Sequence, residues 1–264
     1  MAGFLLINPR SGRGGPSSNE LRAEAEGRGI RTRVLADGDD ASALAREADA
    51  DALGVAGGDG SLSAVAEVAL ERDLPFVCVP FGTRNHFARD VGLDRDDPFK
   101  ALDAFSGGER RVDVGRVGDR VFLNNVSIGL YAQLVHERED HRRRRELLAR
   151  ARAAAILLRH REPVGLTIDG QPLEARVLLV ANNPYTPLDL LTLGERGRLD
   201  EGLLYLYVPT GFLRAWEERQ VRTLEVGAEA PLLRAAVDGE PIELAMPARF
   251  TIEPGALRVL LPRS

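Results

Sequence analysis

Lysine, cysteine, tryptophan and methionine are nearly missing from this 264-residue chain, which has one Cys, one Trp, two Met and a single lysine, Lys100. The lone Cys78, inside Phe76-Val77-Cys78-Val79, allows no disulfide within the chain and no thiol–metal cluster, and reads as a buried strand residue. Neither a G-x-x-x-x-G-K-[ST] loop nor the third-strand lysine of protein kinases is present, so both of those chemistries are excluded. No G-x-S-x-G occurs, and His86, His136, His141 and His160 show no metal-ligand spacing. No apolar run approaches the ~20 residues needed to span a bilayer. Met1-Ala2-Gly3-Phe4-Leu5-Leu6-Ile7 is too short, and lacks the basic flank, for a signal peptide. A soluble, cytoplasmic protein is therefore expected. A net charge of −5 gives no general attraction to nucleic acid.

With 44% apolar and 28% charged residues, the chain can bury a real core, in one large domain or two ordinary ones. Its central stretch is Gly57-Gly58-Asp59-Gly60-Ser61. The apolar run Ala52-Leu53-Gly54-Val55-Ala56 before it suits a buried parallel strand. Leu62, Val65, Ala66 and Ala69 after it repeat at helical spacing. The glycines let the backbone turn sharply and approach a ligand. Ser61 is expected to cap the helix, whose N-terminal N–H groups favour an anion. Asp59 then sits where a phosphate would go, which fits a carboxylate working through a metal ion. A tight strand-to-helix turn with a polar tip is the plainer alternative.

Strand and helix alternate through the first part of the chain. Gly3–Ile7, Arg31–Leu35 and Leu74–Pro80 read as strands. Asn19–Glu26, Ala41–Ala48, Ser61–Leu70 and Pro98–Phe105 read as helices, with a short one ending at Gly92. The pattern predicts a doubly wound α/β domain with a parallel sheet. After Gly115 it changes to short strands punctuated by Gly, Pro and Asp. They run around hairpin turns at Gly118-Asp119 and Asp169-Gly170, then Leu173–Ala181, Leu203–Val208, Leu232–Val237, Pro241–Leu244, Phe250–Ile252 and Leu257–Leu261. That predicts an antiparallel β-sandwich, interrupted by a helix over 131–161. The expected division is 1–113 and 114–264.

Three motifs carry a family resemblance: Asn8-Pro9-Arg10-Ser11-Gly12, Gly57-Gly58-Asp59-Gly60-Ser61, and Pro80-Phe81-Gly82-Thr83-Arg84-Asn85-His86-Phe87-Ala88-Arg89, in that order. The chain resembles the diacylglycerol kinase, sphingosine kinase and NAD kinase superfamily, in its bacterial diacylglycerol kinase-like branch. The resemblance implies an NAD kinase-like α/β domain followed by a β-sandwich, with the nucleotide site in the interdomain cleft. It implies nucleotide contacts from Asn8, Ser11, Gly12, Gly57, Gly58, Gly60, Ser61, Thr83, Asn85 and Gly239. Asp59, Asp113 and Asp238 would hold Mg²⁺ and its waters. Arg198-Leu199-Asp200-Glu201-Gly202-Leu203 resembles the segment in which bacterial relatives bind a structural Mg²⁺, so Asp200 and the Leu203 carbonyl are expected ligands. Asp238-Gly239-Glu240 matches the family's D-G-E, although Asp-Gly after a strand is by itself an ordinary hairpin turn.

The activity implied is ATP-dependent, Mg²⁺-dependent transfer of a phosphoryl group to a hydroxyl of a diacylglycerol-like or other lipid alcohol. Asp59, Asp238 and Glu240 are the expected catalytic residues, with Asp238 favoured as base and Glu240 as its alternative. Since lysine is lacking, Arg84 and Arg10 are candidates for its usual work on phosphate. Departures from the family pattern are Ser61 for threonine, Ser63 and Ala64 at usually polar positions, and His86 for aspartate. They keep two alternatives open: a kinase of another hydroxylated metabolite, NAD kinase-like, and a catalytically weak nucleotide-binding regulator. Leu188, Leu190, Leu191 and Leu193 either line an acyl pocket or pack on the sandwich. The arginine-rich helix 138–161 either rests on an anionic membrane or presents a solvated face. Expected partners are thus ATP and a lipid alcohol, with peripheral contact to an anionic membrane through helix 138–161 and a homodimer left open.

Overall fold

The computed structural model describes residues 2–11, 15–82, 85–129, 165–175, 177–186, 194–210 and 215–263. The chain forms two compact units, one of Met1–Val114, Arg198–Glu201 and Pro254–Ser264, the other of Gly115–Gly197 and Gly202–Glu253.

In the first unit, strands β1 (Gly3–Ile7), β2 (Arg31–Val34), β3 (Ala52–Gly57) and β4 (Phe76–Pro80) alternate with helices. These are α1 (Ser18–Gly27), α2 (Ala41–Glu47), α3 (Asp59–Glu71), α4 (His86–Asp90) and α5 (Pro98–Ala101), the last running into a 3-10 turn at Leu102–Ser106. The strands are parallel, in the order β2-β1-β3-β4. Every residue of β3 and β4 is buried, as expected for a parallel sheet covered on both faces. Polar residues fix where helices begin. Ser17 and Glu20 form a reciprocal capping box at α1, and the Asp40 carboxylate accepts the Ser42 and Ala43 N–H groups at α2.

The second unit is antiparallel; the strands at its two ends also include residues of the first unit, 108–114 and 254–261, where Val259 pairs parallel with Phe76. Strand β5 (Gly108–Val117) leads into β6 (Arg120–Phe122), β7 (Asn125–Gly129), β8 (Leu166–Ile168), β9 (Gln171–Leu173) and β10 (Val177–Asn182). There follow β11 (Leu204–Thr210), β12 (Ala215–Val221), β13 (Thr223–Ala228), β14 (Leu232–Val237), β15 (Glu240–Ala245) and β16 (Ala248–Leu261). One sheet has the order β12-β11-β10-β7-β14-β15, while β13 joins β16 to the β8–β9 hairpin in another. Their inner faces share a core that includes Phe122, Ile128, Leu178, Leu206, Val226 and Phe250, with Phe122 and Phe250 edge-to-face at 6.5 Å. This is the expected pairing of an α/β fold with a separate antiparallel β fold.

Several elements differ from the sequence reading. Leu173–Ala181 is two strands, β9 and β10, because the chain turns at Ala175, whose N–H donates to the Leu173 carbonyl. Conversely, Phe250–Ile252 and Leu257–Leu261 belong to one strand, β16, which passes through Pro254-Gly255 without breaking. Gly255 takes φ +58° there, a conformation open to glycine. Strand β12 has no apolar alternation to announce it, since Glu217, Glu218, Arg219 and Gln220 are all exposed on a sheet edge; charge there discourages pairing with other chains. Residues 198–201 and 254–264 follow the expected boundary at 113/114, yet they belong to the first unit. The helix expected over 131–161 and the leucines at 188–193 lie outside the described residues.

Candidate active site

After β2 the chain returns past β1 and forms β3 on its other side. The winding therefore reverses at the carboxyl ends of β1 and β3, where open α/β sheets bind ligands. Two of the three motifs follow those strand ends, and side chains fasten them together. Asn8 Nδ2 donates to Ser61 Oγ at 2.9 Å, and the Gly58 N–H donates to Ser11 Oγ at 3.3 Å. Asn8 Oδ1 also accepts the Arg10 N–H at 3.1 Å, which curls the first loop back on itself.

Ser61 is not the helix cap. Helix α3 begins at Asp59 with the extended Gly58 (φ −85°, ψ 175°) as its N-cap, so Ser61 lies in the first turn and its hydroxyl serves Asn8 instead. The N-terminal N–H groups of α3, which no intrahelical carbonyl reaches, open beside Asn8 and Ser11.

The third motif comes down from β4. A Cβ on Gly82 would lie 2.6 Å from the Gly58 Cα, so only glycine lets the two loops approach this closely. Asn85, left-handed at φ 48°, bridges its own loop by accepting the Gly82 N–H and donating to the Gly82 carbonyl. The Asp59 carboxylate receives the His86 N–H at 3.4 Å and the Phe87 N–H at 3.2 Å. Asp59 thus joins the second motif to the third. Burial, reinforced by the Asp59 charge, pushes the Cys78 thiol well up, which leaves it inert. Asn8, Ser11, Gly57, Gly58, Asp59, Gly60, Ser61 and Asn85 are brought into one cluster. Gly12, Thr83 and Arg84 lie outside the described residues.

Asp113 is buried in the first unit, where its Oδ1 accepts the Gly255 N–H at 2.8 Å and its own N–H donates to the Leu199 carbonyl at 2.7 Å. It therefore holds both late segments that return to that unit. Asp200 is exposed, and its carboxylate accepts from Arg198 Nε at 3.3 Å. The Leu203 carbonyl accepts the Asn183 N–H. Among the described residues, no group of three or more His, Cys, Asp or Glu is arranged as a metal cage.

In the second unit, Asp238 and Gly239 take φ 48° and 83° between the paired strands β14 and β15, the geometry of a tight hairpin turn. Asp238 is only 8% exposed. Its Oδ2 accepts the Leu123 N–H at 2.8 Å, and its Oδ1 accepts those of Asn124 and Asn125 at 2.7 and 3.0 Å. The exposed Glu240 follows at the start of β15. Around this anchor runs a buried polar network that the sequence reading missed. Asn125 Nδ2 donates to the Tyr185 hydroxyl, Asn183 Nδ2 to Asn182 Oδ1, and the Tyr185 N–H to the Tyr207 hydroxyl. The pairs Asn124-Asn125 and Asn182-Asn183, set against apolar strands, are the only hint of it in the sequence. Nothing there distinguishes Arg196, the other member, from the many other arginines.

Residues 2–117 match the family model of the diacylglycerol kinase catalytic domain. The Pseudomonas aeruginosa protein named "Probable lipid kinase YegS-like" is 30% identical over 273 residues, covering 89% of this chain and 86% of that one. A Mycobacterium tuberculosis diacylglycerol kinase is 29% identical over 295 residues, covering 98% and 94%. The crystal structure of a diacylglycerol kinase from Bacillus anthracis superposes with a TM-score of 0.72 at 19% identity, covering 98% of this chain and 96% of that one, which shows a shared fold. With its three motifs in order, their loops fastened at the sheet's reversal point, and a relative of this identity along nearly its whole length, the chain belongs to the diacylglycerol kinase family.

Proposed function

We propose that this chain is an ATP-dependent lipid kinase, transferring the γ-phosphoryl group of ATP to a hydroxyl of a diacylglycerol-like or related lipid alcohol. The observation that carries this reading is the fastening of three motif loops in the first unit, through Asn8–Ser61, Ser11–Gly58 and Asp59 with the N–H groups of His86 and Phe87. Such a cradle of backbone N–H groups and neutral side chains can hold phosphates without a lysine. Phosphoryl transfer asks chiefly for positioning and charge neutralisation, which pre-set donors supply.

Mg²⁺ suits the donor set, because it keeps several waters and is held by one or two carboxylates together with phosphate oxygens rather than by a protein cage. Asp59, at the junction of the motif loops in the first unit, is the carboxylate that would hold it. When bound, the ion neutralises charge on the phosphates. Asp238 has about four lone-pair sites, and three backbone N–H groups already occupy its oxygens. Receipt of the acceptor hydroxyl's proton is therefore assigned to Glu240, with Asp238 holding the turn.

The test is transfer of labelled phosphate from ATP to a total lipid extract in mixed micelles, with and without Mg²⁺, for the wild type and Asp59→Asn. We expect a labelled lipid whose formation needs Mg²⁺ and falls by on the order of 10²-fold or more in the variant. Label appearing only in a water-soluble acceptor such as NAD would overturn the lipid reading. ATP binding with no transfer at all would favour a regulator, the reading motivated by His86 in place of aspartate.

A further inference from the structure

We infer that Arg196 is a positioning residue for the Asp238-Gly239-Glu240 turn, acting through the peptide group between Leu123 and Asn124. Arg196 is 2% exposed and is the largest of the fully buried side chains in the described residues. Its Nη1 donates to the Leu123 carbonyl at 2.6 Å and to the Asn182 carbonyl at 2.9 Å, while Nη2 donates to Asn124 Oδ1. The guanidinium also lies over the Tyr185 ring, 5.6 Å from its centroid. Asn182 Nδ2 adds a second donor to the Leu123 carbonyl at 3.2 Å.

The Leu123 carbonyl and the Asn124 N–H are two ends of one peptide group, and that N–H donates to Asp238 Oδ1 at 2.7 Å. A buried cation thus draws on one end of the peptide and a buried carboxylate on the other. Each hydrogen bond polarises the group in the direction that strengthens its counterpart. The planar fork of arginine reaches three acceptors at once, which the point charge of lysine cannot reproduce. Because the Asp238 carboxylate depends on the peptides of Leu123, Asn124 and Asn125, the orientation of the turn, and with it of Glu240, depends on Arg196. The catalytic part of this inference rests on the phosphoryl-transfer reading above; the structural part does not.

The experiment compares full-length wild type, Arg196→Met and Arg196→Lys by the amide proton shift and hydrogen exchange of Asn124, and by steady-state phosphoryl transfer. In Arg196→Met the Asn124 amide proton should move upfield and exchange at least tenfold faster, with amides of the first unit unchanged. The kcat should fall about 10–100-fold, the range seen when a partner of a catalytic ligand is removed, while KM for ATP stays within twofold. Arg196→Lys should lie between. An unmoved Asn124 amide with unchanged kcat would sink the proposal, as would a loss of activity that only tracks the unfolded fraction. Unfolding of both variants would make Arg196 a folding residue and overturn it too. If the wild type labels no lipid, the lipid-kinase reading fails, and the Asn124 amide still decides the role of Arg196.

Discussion

Asn8 and Ser61 are 53 residues apart, yet the side-chain amide of one donates to the hydroxyl of the other at 2.9 Å and ties the loop after β1 to the first turn of α3. Ser61 therefore matters as an acceptor at this junction. Ser61→Ala should leave the Asn8 amide without that acceptor and cost about 1–3 kcal/mol, measured by urea denaturation. The KM for ATP should rise with it. Ser61→Thr, which keeps the hydroxyl, should preserve both.

Gly82 sits against Gly58 with no room for a methyl group. The Gly58 Cα, 2.6 Å from that added carbon, is backbone and cannot swing aside, and Asn85 Oδ1 would crowd it at 2.8 Å. Gly82→Ala should push the second and third loops apart, lowering stability by about 1–3 kcal/mol and raising the KM for ATP. A variant with unchanged melting temperature and KM would show that this close approach has no role.

Asp238 and Glu240, two residues apart, should separate cleanly. Asp238→Asn places an amide NH₂ group against backbone N–H donors and weakens hydrogen bonds to a charged acceptor, each worth roughly 1.5–3 kcal/mol. Its main effect should be a lower unfolding midpoint. Glu240 is exposed, so Glu240→Gln should keep the midpoint and lower kcat. The reverse pattern would return the role of base to Asp238.

Arg258 pairs with Glu109 through Nε and Nη2 at 3.0 and 2.8 Å. This hydrogen bond, aided by the charges of Arg258 and Arg111, holds the Glu109 carboxyl below its usual range despite some burial. A depressed carboxylate stabilises the fold above its unfolded-state pKa, and that contribution disappears as pH falls through the folded-state value. Since the pair is partly exposed, Glu109→Gln should cost less than about 1 kcal/mol at neutral pH. The difference from wild type should vanish in acid, as followed by denaturation at a series of pH values.

Local chemistry made much of this protein legible. Ala52–Ala56 before the glycines and the spacing of Leu62, Val65, Ala66 and Ala69 after them specified a strand, a turn and a helix. Asp169-Gly170 and Asp238-Gly239 specified hairpin turns, because few residue types tolerate positive φ there. These signals act within a few residues, where propensity, periodicity and turn geometry are encoded. Helix α3 starts two residues before the Ser61 that local spacing predicts, because the hydroxyl of Ser61 answers to Asn8, beyond any local window.

Other features come from contacts between segments distant in the chain. Asp113 accepts from Gly255, 142 residues away, and so draws the end of the chain into the first unit. Arg196, 72 residues from Asn124, becomes a buried clamp only because β7 and β10 pair side by side and bring Leu123, Asn124 and Asn182 within its reach. A charged side chain can be buried only where partners from distant segments meet it. Local residue patterns therefore specify the motif loops and the change from α/β to antiparallel β. Which charges are buried, and which backbone groups they hold, followed from packing between segments far apart in the chain.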